Sequence, residues 1–355
     1  MASALSHRAE TKHELKYVRL GPTGTKVSQF ALGAWHLPGS GESDQWGVEK
    51  VGREEMAKIV KKGYDAGINF IDTANVYHGR MQNSDPLHAG NSERLLGEIM
   101  KGYDRESLVL ATKVRGALAS WPNGEGLSRK HILWQARESL ARLQTPYIDL
   151  YQIHWPDPET PKLETLSALN HLINQGLVRY IGASNHSATD MEEFMQLAKD
   201  RRLEGFVTLQ ELYNLIERDV EKDRLPLAKR YGFGVLAYSP IAQGVLSEKY
   251  LNGIQKGTRA SYAESIATSY LNAPTLEAVR GLNQIARQKG VSLPQLALSW
   301  LLHKQGELGI TIIPLLGITN SMYLEDSLGA LDVQLSSDEI RQVEEFSRRA
   351  HVLPW

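Results

Sequence analysis

Short apolar runs at 29–32, 68–71, 108–111, 147–153, 178–181, 206–209, 234–237 and 311–313 alternate along this chain with amphipathic stretches of helical length. Runs this short and this continuously apolar suit strands covered on the outside by helices. The helical stretches fall at 53–66, 92–101, 128–143, 163–175, 189–200, 224–231, 275–289 and 321–331, with a further helix over 293–302. In the first, Met56, Ala57, Ile59, Val60 and Tyr64 share one side and Gly67 stops the helix. Ser292-Leu293-Pro294-Gln295 opens the further helix with a capping serine and a proline in its first turn. Strands separated by helices run parallel, and eight such units favour closure into an α/β fold of the (β/α)8, or TIM-barrel, type. A doubly wound open sheet is the alternative. It usually carries G-x-G-x-x-G after its first strand, and no such string follows any strand here.

Residues 17–20 and 25–27, joined by Gly21-Pro22-Thr23-Gly24, read as an N-terminal β-hairpin able to plug the barrel bottom. Residues 1–15 read as a flexible extension, 16–355 as one barrel domain with extra C-terminal helices. The formal net charge of −1 gives no reason to expect a nucleic-acid or membrane partner. Cysteine is absent, which removes disulfides, thiolate zinc sites and thiol nucleophiles together. No apolar run is long enough to span a bilayer, and the first ten residues do not read as a secretory signal, so the cytoplasm is the expected location. Three connections, 78–91, 115–127 and 241–273, are longer than the units need, and long loops at a catalytic rim are usually functional.

Successive runs end on residues able to do chemistry. The second leads into Asp72, with Tyr77 five positions on, and the third into Thr112-Lys113; the fourth ends at His154, the fifth leads to Ser184-Asn185, and the sixth ends at Gln210. In a parallel barrel the active site is built at the C-terminal ends of the strands. A phenol with an ordinary pKa of about 10 needs help to move protons at neutral pH. A nearby lysine ammonium favours phenolate, and an aspartate paired to that lysine keeps it charged and oriented. A histidine opposite can hydrogen-bond a substrate oxygen. Such a set suits proton transfer to a carbonyl oxygen, and since no side chain here is a hydride source, a cofactor would supply the reducing equivalent.

Taken singly, each residue has a plainer explanation: a capping aspartate, a solvated lysine, a packed tyrosine, a structural histidine. Together, on neighbouring strand ends, they point to a site. A metal centre is disfavoured by the absence of compact histidine spacing and of cysteine, and a serine hydrolase by the absence of G-x-S-x-G. A lyase or aldolase using Lys113 as a Schiff base is the competing chemistry, opposed by the carboxylate that would hold the amine protonated.

Gly67-Ile68-Asn69-Phe70-Ile71-Asp72-Thr73-Ala74-Asn75-Val76-Tyr77, Ala111-Thr112-Lys113, Asp149-Leu150-Tyr151-Gln152-Ile153-His154-Trp155-Pro156 and Ile181-Gly182-Ala183-Ser184-Asn185 resemble, in order, the signatures of the aldo-keto reductases over residues 17–346. Gln210 with Tyr213-Asn214, Ala237-Tyr238-Ser239-Pro240-Ile241-Ala242-Gln243-Gly244 and Pro314-Leu315-Leu316-Gly317 resemble the branch holding potassium-channel β-subunits and microbial reductases. The resemblance implies an NADP-dependent oxidoreductase acting on a small aldehyde or ketone. Tyr77 would be the general acid, tuned by Lys113 and Asp72, with His154 orienting the carbonyl. Ser184, Asn185 and Gln210 would hold the nicotinamide carboxamide, and Tyr238 would stack on the ring. Ser239, Pro240, Ile241, Ala242 and Gly244 would run beneath the pyrophosphate, and Gly33, Ala34 and Trp35 would border cofactor and substrate.

Toward the adenosine end the resemblance assigns Lys249 and Arg259, in Gly257-Thr258-Arg259-Ala260-Ser261, to the phosphates, and Gly317, Thr319, Tyr323, Asp326 and Ser327 to the adenosine. The basic residues common in that segment are missing here. Arg259 favours NADP(H), and Asp326 keeps NAD(H) open. Histidine at position 154 distinguishes catalytic members from most channel subunits, which leaves a nucleotide-binding regulatory subunit with weak reductase activity as the alternative. Trp35, Tyr77, His78, Trp121 and Trp155 are candidates for an aromatic substrate pocket; Arg80 and His88 are candidates for a phosphorylated or acidic substrate, with plain solvation the better expectation, and Trp355 either covers the rim or dangles. Homo-oligomer formation stays open, since related barrels range from monomers to octamers.

Overall fold

The computed structural model describes residues 13–35, 52–77, 90–256, 258–261 and 264–353. The hairpin forms as β1 (Tyr17–Arg19) against β2 (Lys26–Ser28), antiparallel. Eight parallel strands then close into a barrel: β3 (Ala31–Gly33), β4 (Phe70–Asp72), β5 (Val109–Val114), β6 (Ile148–Ile153), β7 (Val178–Ser184), β8 (Thr208–Leu212), β9 (Gly234–Tyr238) and β10 (Ile312–Gly317), with β10 pairing back onto β3. The barrel reading holds, and the open-sheet alternative is excluded by that closing pair.

Helices cover the outside in chain order: α1 (Arg53–Asp65), α2 (Asn91–Met100), α3 (Arg129–Leu143), α4 (Lys162–Asn174), α5 (Ala188–Arg201), α6 (Arg224–Tyr231), α7 (Glu264–Tyr270), α8 (Ala273–Lys289), α9 (Leu293–Leu308), α10 (Ser321–Leu328) and α11 (Ser337–Ser347). Their starts follow local chemistry. Ser128 and Ser187 accept from backbone N–H groups at the starts of α3 and α5, and Ser292 with Gln295 forms a reciprocal capping box at α9. The expected further helix runs on to Leu308, and the expected 321–331 helix tightens after Leu328 into a 3-10 turn, Gly329–Asp332.

Strand periodicity sorts the core into two shells. Ala31, Phe70, Val109, Ala111, Leu150, Leu236, Ile313 and Leu315 pack together inside the barrel, and Leu20 and Val27 of the hairpin join them from below. The hairpin therefore plugs the bottom. Its turn comes so close to the barrel that a Cβ on Gly21, which has φ +57°, would lie 2.1 Å from the Val207 carbonyl oxygen. Only glycine fits that approach. The alternate residues, such as Ile71, Leu110, Tyr151 and Ile181, face the helices in two outer clusters.

Within the barrel the filling changes from apolar to polar along each strand. Phe70 gives way to Asp72, Val109 and Ala111 to Lys113, and Leu150 to Gln152. Gly182 makes room for this polar layer. A Cβ there would lie 2.3 Å from Thr208 Oγ1 and 3.0 Å from Gln152 Cγ.

The strands consequently run further than their apolar stretches suggested. Asp72 and Ser184 close β4 and β7, while Lys113 and Gln210 lie within β5 and β8 rather than beyond them. A polar side chain ends an apolar run in sequence, but the ladder continues where the side chain points inward and finds partners. The 241–273 connection is not a bare loop: its described residues include α7 and three 3-10 turns. Residues 1–12 of the proposed extension, His78, Arg80, His88, Gly257 and Trp355 lie outside the described residues.

Candidate active site

An ion pair occupies the top layer of the barrel. Lys113 Nζ donates to Asp72 Oδ2 at 2.5 Å, to the Thr73 carbonyl at 2.8 Å and to the Tyr77 hydroxyl at 2.9 Å. Three donors thus meet three oxygens. The side chains of Lys113 and Asp72 are 0% and 3% exposed, so neither ion is solvated. Asp72 Oδ1 accepts from Gln152 Nε2 at 3.0 Å and from Gln210 Nε2 at 2.9 Å. Gln152 was not among the expected site residues. Its signal was the alternation Leu150, Gln152, His154, which puts it on the inward face two residues before the histidine.

Tyr77 reaches the lysine because the chain turns sharply after β4. Thr73 N–H and Asn75 N–H donate to the carbonyls of Ala111 and Lys113, continuing the ladder, and Tyr77 N–H closes a turn on the Ala74 carbonyl. The Tyr77 ring lies under the ammonium, 4.6 Å from Nζ to ring centre. The lysine was expected to favour phenolate. The balance runs the other way: burial first, and the Asp72 charge second, push the phenol well above its ordinary range. Burial also pulls Lys113 down, opposed by the Asp72 carboxylate. A tyrosine in this setting holds its proton at neutral pH, as a proton donor must.

His154 directly follows β6, its N–H bonded to the Val114 carbonyl. Its ring stacks on Trp155 at 3.7 Å between centres and meets the Tyr77 ring edge-on at 5.7 Å. Tyr77, Trp134 and Trp155 pack against Ala74, Val76 and Leu118, which forms an aromatic wall beside the phenol. Trp121, from the 115–127 connection, lies 6.2 Å from Trp134 and is 57% exposed.

Asn185 stands beside the histidine in a left-handed conformation, φ 60°. Its Nδ2 donates to the His154 carbonyl and to Ser184 Oγ, both at 3.0 Å, and its Oδ1 accepts from the Tyr238 hydroxyl at 2.8 Å. Ser184 Oγ donates in turn to the Gln210 carbonyl at 2.9 Å. The four residues expected to grip a nicotinamide therefore form one connected set.

The Ser239–Gly244 turn holds four residues at positive φ: Ser239, Ala242, Gln243 and Gly244. Left-handed residues in such a turn aim backbone N–H groups toward one side, a feature of anion-binding concavities. Strained non-glycine residues clustered in one turn point to function. Gln243 Oε1 is buried and accepts no hydrogen bond among the described residues, which leaves an acceptor for a bound molecule's donor. Lys249 Nζ lies over the Tyr323 ring at 4.8 Å, and the Arg259 guanidinium over the Trp35 indole at 4.6 Å. Cations, nest-like backbone and an orphaned acceptor fit an anionic dinucleotide.

Gly33 and Gly317 pair across the barrel closure, and Ala34 N–H donates to the Asp72 carbonyl at 2.8 Å, so the two segments expected to border the cofactor are neighbours. Asp326 is otherwise engaged. Its carboxylate accepts from Ser292 Oγ at 3.0 Å, next to the start of α9, and Ser327 Oγ donates to the Tyr323 carbonyl. Among the described residues no group of three or more His, Cys, Asp or Glu could hold a metal ion, and no helix is long and apolar enough to cross a membrane.

The aldo/keto reductase family profile matches residues 29–348. Three relatives, each provisionally named, align over almost the whole chain. A voltage-gated potassium channel subunit beta of Schizosaccharomyces pombe is 35% identical, covering 98% of this chain and 96% of its own. An aryl-alcohol dehydrogenase of Saccharomyces cerevisiae is 32% identical, covering 93% and 96%. A voltage-gated potassium channel subunit beta of Oryza sativa subsp. japonica is 35% identical, covering 90% and 92%. The chain belongs to the aldo/keto reductase family, a family of oxidoreductases.

Proposed function

We propose that this protein is an NADPH-dependent carbonyl reductase that turns aldehydes or ketones, aryl aldehydes foremost, into alcohols. The observation that carries the reading is the Tyr77 hydroxyl held 2.9 Å from a buried, carboxylate-paired lysine. A nicotinamide supplies hydride when bound. Tyr77 gives its proton to the carbonyl oxygen, and the Lys113 ammonium stabilises the phenolate left behind. Asp72 holds Lys113 in place, while the two glutamine amides hold Asp72. His154, braced against Trp155, donates a second hydrogen bond to the same oxygen and fixes the carbonyl's orientation. Ser184, Asn185 and Gln210 would hold the carboxamide, with Tyr238 under the ring. The Ser239–Gly244 turn, Lys249 and Arg259 would take the phosphates.

The aromatic wall of Tyr77, Trp134 and Trp155 favours flat apolar substrates, and one relative is named for aryl alcohols. Arg259 and Lys249 favour a phosphorylated cofactor. Asp326 accepts a hydrogen bond from Ser292 Oγ, which ties its carboxylate to the start of α9. We place the protein in the cytoplasm, acting on small molecules. The experiment is a panel of benzaldehydes, aliphatic aldehydes, sugars and quinones with NADPH or NADH, followed by nicotinamide absorbance. Turnover with NADPH and aryl aldehydes is expected; binding of nucleotide without turnover of any carbonyl would refute the reading.

A nucleotide-binding regulatory subunit is the second reading, favoured by the two relatives named as channel subunits. Tight nucleotide binding with negligible turnover and a stable complex with a partner protein would support it instead.

A further inference from the structure

A second buried ion pair lies outside the barrel wall, directly behind the reaction centre. Glu93 of α2 and Arg142 of α3 meet at 2.7 Å, with side chains 0% and 7% exposed. Burying two ions is costly, and an apolar pair of like volume often serves stability as well or better. The pair's role is therefore to be sought in what it touches.

It touches both the segment that carries the proposed proton donor and the strand that carries its lysine. Glu93 Oε1 accepts from Thr112 Oγ1 at 2.5 Å. Thr112 precedes Lys113 on β5 and faces outward where Lys113 faces inward, so holding one fixes the direction of the other. Arg142 Nη2 donates to Gln135 Oε1 at 3.4 Å, and the same oxygen accepts from Asn75 Nδ2 at 3.1 Å. Asn75 lies two residues before Tyr77. From the same turn of α2, Ser92 Oγ bridges the Thr73 hydroxyl and the Ala34 carbonyl, each at 2.9 Å. Gly90, at the start of α2 with φ +70°, leaves the space that Arg142 occupies: a Cβ there would lie 2.2 Å from Nε.

On these grounds we propose that the Glu93–Arg142 pair is a positioning device for the reaction centre, acting on Lys113 through Thr112 and on Tyr77 through Asn75. It rests on the reductase reading above. The charged and titratable groups facing the pair are Glu138 and Arg94 on the flanking helices, Tyr151 on β6 and Lys113 itself. Glu93 adds to Asp72 in opposing the effect of burial on Lys113, so its charge bears on the ammonium as well as on geometry.

The test uses the full-length chain. The double variant Glu93→Gln/Arg142→Met removes both charges and strands neither; Thr112→Val keeps shape and removes only the hydroxyl. The readouts are NADPH affinity, kcat against pH with an aryl aldehyde, and an NMR titration of the Lys113 side-chain nitrogen assigned with Lys113→Met. The double variant is expected to bind NADPH like the parent, to lose at least about tenfold in kcat, and to titrate Lys113 at lower pH. Thr112→Val is expected to lose about threefold or more in kcat with affinity unchanged. Parental kcat in the double variant overturns the proposal, and if that variant fails to fold, Thr112→Val decides by kcat alone, a parental value overturning it. A parent protein that reduces no carbonyl sinks the reductase reading, whereas a parent that turns over beside a double variant with parental kcat sinks this proposal alone.

Discussion

Replacing Asp72 by asparagine tests the top layer of the barrel most severely. Three donors converge on its carboxylate: Lys113 at 2.5 Å, Gln152 at 3.0 Å and Gln210 at 2.9 Å. An amide offers one oxygen and one NH2 group in the same space, so at least one donor faces another donor. Rotating a glutamine amide relieves a neutral donor, leaving the ammonium as the costly group. Removing one partner of a buried ion pair costs about 3–5 kcal/mol, because the other charge stays buried without compensation. The variant is therefore expected to lose about 3–5 kcal/mol of stability near neutral pH.

The sign of the pH dependence follows from Lys113. Burial already lowers its folded-state pKa below the unfolded value, and loss of Asp72 lowers it further. The unfolded chain then binds the additional proton, so stability rises with pH between the folded and unfolded pKa values. In the variant that window opens at lower pH than in the parent. Urea unfolding followed by tryptophan fluorescence, near neutrality and at about pH 10, should show the deficit shrinking as pH rises. A deficit below about 1 kcal/mol, or one equal at both pH values, would refute the assignment of a buried ammonium held by Asp72.

Since burial raises the Tyr77 pKa, the phenol stays protonated through neutrality; carbonyl reduction should be level there and fall only on the alkaline side, while alcohol oxidation should quicken with rising pH. Initial rates in both directions across pH check this. Gln152→Leu removes one of the two amides on Asp72 Oδ1 and should lower kcat by about tenfold with nucleotide affinity intact, measured by steady-state kinetics and fluorescence titration. Tyr238→Phe deletes the hydrogen bond to Asn185 Oδ1 and should weaken nucleotide binding by about 0.5–1.5 kcal/mol, a change read directly in the nucleotide Kd.

The strand–helix order was legible because helices on the outside and packing within make each strand apolar on both faces, and because serines and glycines mark the helix ends. Strand ends were misplaced for one reason. Lys113 is polar yet fully buried, and hydrophobicity alone ends β5 before it; only its three partners explain why the ladder carries on. Asp72, Tyr77, Lys113 and His154 stood out by type and position, and the structure joins the first three through the Lys113 ammonium. Gln152 did not, since a neutral amide declares nothing until its acceptor is known. Glu93 and Arg142 were equally silent, because a helix acid and a helix base read as surface residues until both are found buried. The Ser239–Gly244 turn was located by its motif, but left-handed Ser239, Ala242 and Gln243 carry no glycine signal to announce the conformation. The short α7 has too few residues to display a helical period.

The account stands on Tyr77 giving its proton to the carbonyl oxygen. Tyr77→Phe removes one oxygen and leaves the ring on its wall of Ala74, Val76 and Leu118. In single-turnover reduction of an aryl aldehyde by enzyme-bound NADPH, the variant should bind nucleotide like the parent and react about 10²–10⁴-fold more slowly. A rate within about threefold of the parent would contradict the account, because a group worth so little cannot be the proton donor.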